Sequence, residues 1–234
     1  MGQEQRIQIE DDEAATKATR RSSTIEFRPR DPARTKAAIL KAARDEFCEL
    51  GLPGARVDAI AARAGANKRL LYHYFGNKEA LYLAVLSDAY HEIRSGEQQL
   101  ELDRLPPEAA MEELVRFTFQ HFLANPWFPR LLSNENMQNA RFLKQLPEIP
   151  ALHGPLIEQI RTILQRGEKT GVFGSNLDPV EIYIAIAGLC SFYVSNMNTL
   201  SVIFERDLAE PFRIAQHETQ AVRMVLDYLH RQPS

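Results

Sequence analysis

The chain has 234 residues, enough to bury a sizeable core as one larger domain or two smaller ones. Hydrophobic content of 44% and charged content of 25% are those of an ordinary soluble globular protein, and no stretch is uniformly apolar enough to read as a membrane span. The net charge of −3 conceals a division: from Lys17 to Lys78 fourteen Lys and Arg face six Asp and Glu, a balance of +8, while the remainder carries fourteen against twenty-five, a balance of −11.

Residues 1–30 show no periodicity and hold an acidic run at Glu10–Glu13, then Arg20, Arg21, Arg28 and Arg30; they read as a mobile arm. This N-terminus lacks the apolar core that a secretory signal requires, which points to a cytoplasmic protein. Order begins at "DPARTKAAILKAARDEFCELG", where Asp31 caps a first helix, Pro32 takes its first position and Gly51 stands just past its end. Ile39, Ala43, Phe47 and Leu50 make its apolar stripe. A second helix follows in "VDAIAARAG" and stops at Gly65; Asn67 caps a third, "KRLLYHYF", and Gly76-Asn77 separates that from a long fourth, "KEALYLAVLSDAYHEIRSGEQQL".

Every later segment of useful length is again helical in pattern. "PPEAAMEELVRFTFQHFLANP" lies between prolines, "WFPRLLSNENM" is a shorter piece, and "GPLIEQIRTILQRGEKTG" opens near Pro155 and closes on Gly171. "DPVEIYIAIAGLCSFYVSNMNTLSVIF" has Asp178 and Pro179 as its cap and first turn, and "EPFRIAQHETQAVRMVLDYLHR" nearly ends the chain. The uncharged run Ile182–Phe204, interrupted by Gly188, Ser191, Ser195 and Asn196, reads as a buried helix. No run alternates as a strand does, so the fold is expected to be all-α with about nine helices: a helix-turn-helix head and a C-terminal helical body. Cys48 and Cys190 lie far apart in apolar helical patterns and read as buried free thiols.

Two short helices joined by a tight glycine-containing turn are the mark of a helix-turn-helix, with Val57–Ala64, Gly65–Asn67 and Lys68–Phe75 as its parts. In that arrangement the second helix enters the major groove and its N-terminal residues reach base edges. Lys68 and Arg69 occupy the first turn, where they can donate to guanine or phosphate. Leu71 and Phe75 share one face and point inward, leaving Tyr72, His73 and Tyr74 for the groove or backbone. A basic N-terminal third on an acidic body suits the same use.

Residues 33–81 resemble the DNA-binding domain of the TetR family of transcriptional regulators. The resemblance rests on Gly51; on Ile60, Ala61, Ala64 and Gly65; on Leu71, Tyr72, Tyr74 and Phe75; and on Lys78, Glu79 and Leu81. It implies that Lys68, Arg69, Tyr72 and Tyr74 face DNA with His73, that Lys78 grips a phosphate at the start of the fourth helix, and that Arg56, opening the second, also takes part. Asn67 belongs to the same set, standing where the family often has serine or threonine. Ala55 and Arg56 also stand where the family often has a hydroxyl residue, so a capping oxygen is missing, and Arg69 replaces a common glycine. The domains expected are an arm over 1–30, a DNA-binding domain over 31–78 and a ligand-binding and dimerisation domain over 79–234.

The last two helices, with small residues Ala185, Ala187 and Gly188 and the apolar Ile214, Val222, Val225 and Leu229, are expected to pair two copies, as the resemblance also implies. Phe117, His121, Phe122, Trp127 and Phe142, with Glu135 and Asn136 and with Tyr183 and Tyr193, make up a candidate small-molecule pocket. Neither a cofactor nor a metal is expected. The function these readings support is a ligand-responsive regulator, a repressor released from a palindromic operator by a small molecule. A helical scaffold or adaptor is one alternative. An α-helical enzyme is another, although no nucleophile–base pairing or phosphate-cradling loop is visible.

Overall fold

The structure, a computed structural model, describes residues 31–231; the arm expected over 1–30 lies outside the described residues. Asp31 Oδ1 accepts the Ala33 N–H at 3.0 Å, and α1 runs Pro32–Gly54 with a kink at Gly51. That kink ends the apolar stripe early: Leu50 is exposed, while Ile39, Ala43 and Phe47 are buried. Three helices follow, α2 (Val57–Arg63), α3 (Lys68–Phe75) and α4 (Lys78–Gln98). Between α2 and α3 the chain turns at Gly65, whose φ of 59° lies in the region a side chain disfavours. Ile60 and Ala61 of α2 and Leu71 and Phe75 of α3 join the α1 stripe in one buried cluster, so the inward pairing of Leu71 with Phe75 is present.

The body comprises α5 (Pro107–Ala124), α6 (Trp127–Met137), α7 (Glu148–Lys169), α8 (Pro179–Ile203) and α9 (Pro211–Arg231), with short 3-10 turns at Leu102–Arg104 and Leu143–Gln145. The described residues thus hold nine α-helices and no strand. Helix α5 is central, packed by α7, α8 and α9, while α4 lies against α7. The described residues from Thr35 to Arg231 belong to one compact unit.

Two segments differ from expectation. Helix α7 begins at Glu148, not near Pro155, which lies inside it. An interior proline cannot donate to the carbonyl four residues back, but one apolar stripe, Ile149, Leu156, Ile160 and Ile163, is buried on both sides of it and holds the helix together. Helix α8 is not buried all round. Ile182, Ile186, Cys190 and Val194 face inward, whereas Ile184, Phe192, Val202 and Ile203 are exposed, as are Phe212, Met224 and Tyr228 on α9.

Close packing fixes the end of α7. A Cβ added to Gly167 would lie 2.0 Å from Cδ2 of the buried Phe173 ring. The ring has little room to move, because Gly174 N–H donates to Leu229 O at 2.9 Å and ties this loop to α9. Gly167→Ala is therefore expected to destabilise the fold by about 1–3 kcal/mol, seen as a lower urea midpoint at an unchanged slope.

Candidate functional site

The head presents α3 by its outer side. Asn67 Oδ1 accepts the Leu70 N–H at 2.8 Å and starts the helix, and Asn77 does the same for α4 through Ala80 N–H at 2.7 Å. With Leu71 and Phe75 inside, Arg69, Tyr72 and His73 are left exposed. The side chains of Arg56 and Arg69 have no hydrogen-bond or ion-pair partner among the described residues, so each can meet a phosphate or a base edge without breaking an internal contact. Lys68 Nζ lies 3.0 Å from Asp58 Oδ1 of α2 and donates to its Oδ2 at 3.3 Å, and this hydrogen bond, with the carboxylate charge, raises the ammonium pKa. The pair is exposed, so the attraction is weak and a phosphate can compete for the lysine.

Two of the expected contacts are more structural than the sequence suggests. Tyr74 is half-buried, edge-on to Phe75 with ring centroids 6.4 Å apart. Lys78 donates to Ala55 O at 3.1 Å and to Pro53 O at 3.5 Å, clamping the α1–α2 loop to the first turn of α4. The missing capping hydroxyl is also replaced. Glu46, only 3% exposed, accepts the Arg56 N–H at 3.1 Å, so a carboxylate from α1 caps α2. Its other oxygen lies 3.5 Å from Arg63 Nη2. The available signal was an acidic residue at position 46, beside Ala43 and Phe47 on the inward stripe.

Beyond its packing on α4, the head also meets α6 of the body. The Arg44 guanidinium lies 4.1 Å from the Trp127 ring centroid, and Asn134 Nδ2 donates to Phe47 O at 3.0 Å. Cys48 Sγ donates to Trp127 O at 3.3 Å, and burial pushes its thiol pKa up to about 11, leaving it a packing group. Glu135 is buried and accepts three bonds: from Tyr82 O–H of α4 at 3.1 Å, Phe142 N–H at 2.7 Å and Leu143 N–H at 2.8 Å. Phe142 packs edge-on to Tyr82 at 5.2 Å.

The expected pocket residues do not converge on one cavity. Trp127, Glu135 and Phe142 belong to the head–body connection just described. Phe117, His121 and Phe122 form an aromatic group with Phe128; His121 Nε2 is buried without a hydrogen bond, and burial followed by the Arg94 charge lowers this histidine's pKa. Asn136 is exposed. Tyr193 stacks on His217 at 4.0 Å and donates to Leu208 O at 2.7 Å. Tyr183 reaches a cleft only through Arg94: its hydroxyl accepts from Arg94 Nη2 at 3.3 Å, and Arg94 lines a cleft of about 540 Å³ between α4 and α7.

That cleft rests on residues the sequence reading passed over. Arg94 and Glu97 of α4 lie on the inward stripe that includes Leu86, Tyr90 and Ile93, where a charged side chain must be buried. Burial raises the Glu97 pKa to about 7, against the opposing pull of Arg94. Between about pH 4.5 and 7, then, the folded chain keeps a proton at Glu97 that the unfolded chain releases. Its stabilising effect is full below that window and lost as pH rises through it. E97Q does not titrate, so its unfolding free energy is expected to gain on that of the unmodified chain across the window, with the histidine contributions cancelling in the difference.

These features define a class: a helix-turn-helix head with exposed cations on its second helix, carried on an all-helical body that holds a cleft. Comparison with known proteins agrees. Residues 39–85 match the bacterial regulatory proteins of the tetR family, and residues 107–225 match the tetracyclin repressor-like C-terminal domain. The chain belongs to the TetR family of transcriptional regulators. It is 36% identical over 177 residues to the HTH-type transcriptional repressor NicS of Pseudomonas putida, covering 76% of this chain and 84% of that one. A tetR-family regulatory protein from Rhodococcus RHA1 shares the fold with a TM-score of 0.67 at 17% identity, over 83% of this chain and 96% of that one. FadR from Bacillus subtilis, solved in complex with stearoyl-CoA, does so with a TM-score of 0.63 at 17% identity, over 83% and 99%.

Proposed function

We propose that this regulator is a homodimeric cytoplasmic repressor that leaves a palindromic operator when a small molecule binds its body. The observation that carries this reading is the outer side of α3, where Arg69 stands exposed and unpaired, with Arg56 similarly free at the start of α2. On this reading residues 31–78 act as the DNA-binding domain and 79–234 as the ligand-binding and dimerisation domain. Arg56, Lys68, Arg69, Tyr72 and His73 meet DNA. Asn67, Tyr74 and Lys78 hold the elements in place, with the spare donor of Lys78 left for a phosphate. The relative NicS is named as a repressor, which supports the direction of control.

A single helix-turn-helix reads few base pairs, and a dimer reads two half-sites a helical turn or more apart. The exposed apolar residues of α8 and α9, among them Ile184, Phe192 and Met224, support pairing of two copies through those helices. For transmission, α4 is the natural lever. Lys78 at its start clamps the head loop, and Arg94 in the cleft lies about 24 Å further along the helix axis. A molecule that favours one placement of α4 shifts the distance between the two heads and so the affinity for operator.

The test is genomic selection: the purified protein is incubated with fragmented DNA of its host, and bound fragments are sequenced. The expected result is enrichment of a few promoter fragments that share an inverted repeat. Enrichment without any shared symmetric element would remove the palindrome and dimer from the account.

A further inference from the structure

The cleft between α4 and α7 holds polar groups away from water without fully pairing them. Arg94 and Glu97, 3% and 2% exposed, stand one helical turn apart and both line it. Arg94 Nη1 and Glu97 Oε2 lie 2.9 Å apart as an ion pair, yet neither atom has a hydrogen bond, and Arg94 Nε has no partner. The other end of the guanidinium is held by the Tyr183 hydroxyl, over whose ring it lies at 5.5 Å from the centroid. The second cation of the cleft, Arg166, is committed to the carbonyls of Leu102 and Leu105. The cleft therefore offers a buried donor and a buried acceptor side by side, next to an apolar wall of Leu152, Pro155 and Leu156.

We infer that this cleft takes a small, neutral, ring-shaped molecule with an adjacent carbonyl and N–H, a cyclic amide, its carbonyl on Arg94, its N–H on Glu97 and its ring on the apolar wall. Charge and hydrogen-bond accounting favour this class. Where Glu97 is ionised, a carboxylate attracted to Arg94 has to sit against it and leaves the Arg94–Glu97 site with a net negative charge. A purely apolar molecule leaves the orphaned donor and acceptor shut away from water, at the usual cost of unsatisfied buried groups. An amide edge satisfies both and keeps the Arg94–Glu97 pair neutral. The inference rests on the repressor reading only in treating the occupant as the effector.

The test is calorimetric titration of the full chain at pH 8, where Glu97 is mostly ionised, with three probes: 2-pyridone, N-methyl-2-pyridone and benzoate. The expected order is 2-pyridone first, with the other two weaker by about tenfold or more, because each leaves the acceptor unmet or opposes it. R94M alone would strand the Glu97 charge. The double variant R94M/E97M removes both charges together and is expected to lose the preference while keeping its helical circular dichroism. The probe ranking on the unmodified chain decides the matter whether or not that variant folds. Equal affinity for all three probes, tighter binding of benzoate, or no binding of 2-pyridone overturns the inference. A preparation that binds DNA but not 2-pyridone removes this inference and leaves the repressor reading intact; one that binds 2-pyridone but no DNA does the reverse.

Discussion

Arg69→Ala is expected to weaken operator binding by roughly 10²- to 10⁴-fold while leaving thermal stability unchanged. The side chain is exposed on the first turn of α3 and has no internal partner, so its removal costs the fold almost nothing. On DNA, a base-reading arginine is worth about 1–3 kcal/mol at one site, and a two-fold dimer loses it twice. The loss should be uneven across operator variants: the substituted protein tolerates a changed base pair at one symmetric position that the unmodified protein rejects. A uniform loss across all variants would reassign Arg69 to a phosphate contact. An Arg56→Ala protein serves as the comparison, since a residue at the start of α2 is placed for the backbone and should weaken all sequences alike.

The second large effect concerns the fold. Glu135→Ala removes one acceptor that serves three buried donors, Tyr82 O–H and the N–H groups of Phe142 and Leu143. Stranded buried donors, together with the space left by the side chain, cost roughly 3–5 kcal/mol, or about 10 °C in melting temperature for a chain of this length. Glu135→Gln keeps one carbonyl oxygen for the backbone donors and is expected to cost roughly a third as much. Because Tyr82 belongs to α4 and Glu135 to α6, the alanine variant should also raise amide exchange in the first turns of α4. A melting temperature within a degree of the unmodified protein would show that the three bonds contribute little net stability.

What the sequence made legible follows the range of the interactions involved. The head is written in short-range signals: Asp31 and Asn77 cap with N–H groups two and three residues away, Asn67 with one three residues away, and Gly65 makes the turn with its own backbone. Periodicity then gave the inward pairing of Leu71 with Phe75. Proline misled where packing outweighed it, since the stripe of α7 continues through Pro155.

The candidate site was half legible. Exposed cations on α3 can be read from helical position alone. The groups that hold the head together and tie it to the body cannot: Glu46 reaches Arg56 across a loop, Lys78 reaches Ala55 across two helices, and Glu135 of the body finds Tyr82 of α4 from 53 residues away. The pocket residues were chosen by type, as aromatic rings and amides, and most proved to be core or connection. Arg94 and Glu97 were legible in principle, as charges on an inward stripe. The all-round apolar composition of α8 likewise concealed that one of its sides is left open in a single chain.

The measurement that bears most directly on the central claim is the salt dependence of binding to a duplex selected from genomic fragments. A dimer whose paired heads make about six to ten phosphate contacts should show log affinity falling linearly with log salt, losing roughly 10³- to 10⁵-fold between about 50 and 200 mM. Affinity that does not change with salt, or no binding to any duplex at the lowest salt, would contradict the assignment of α3 and its cations to DNA.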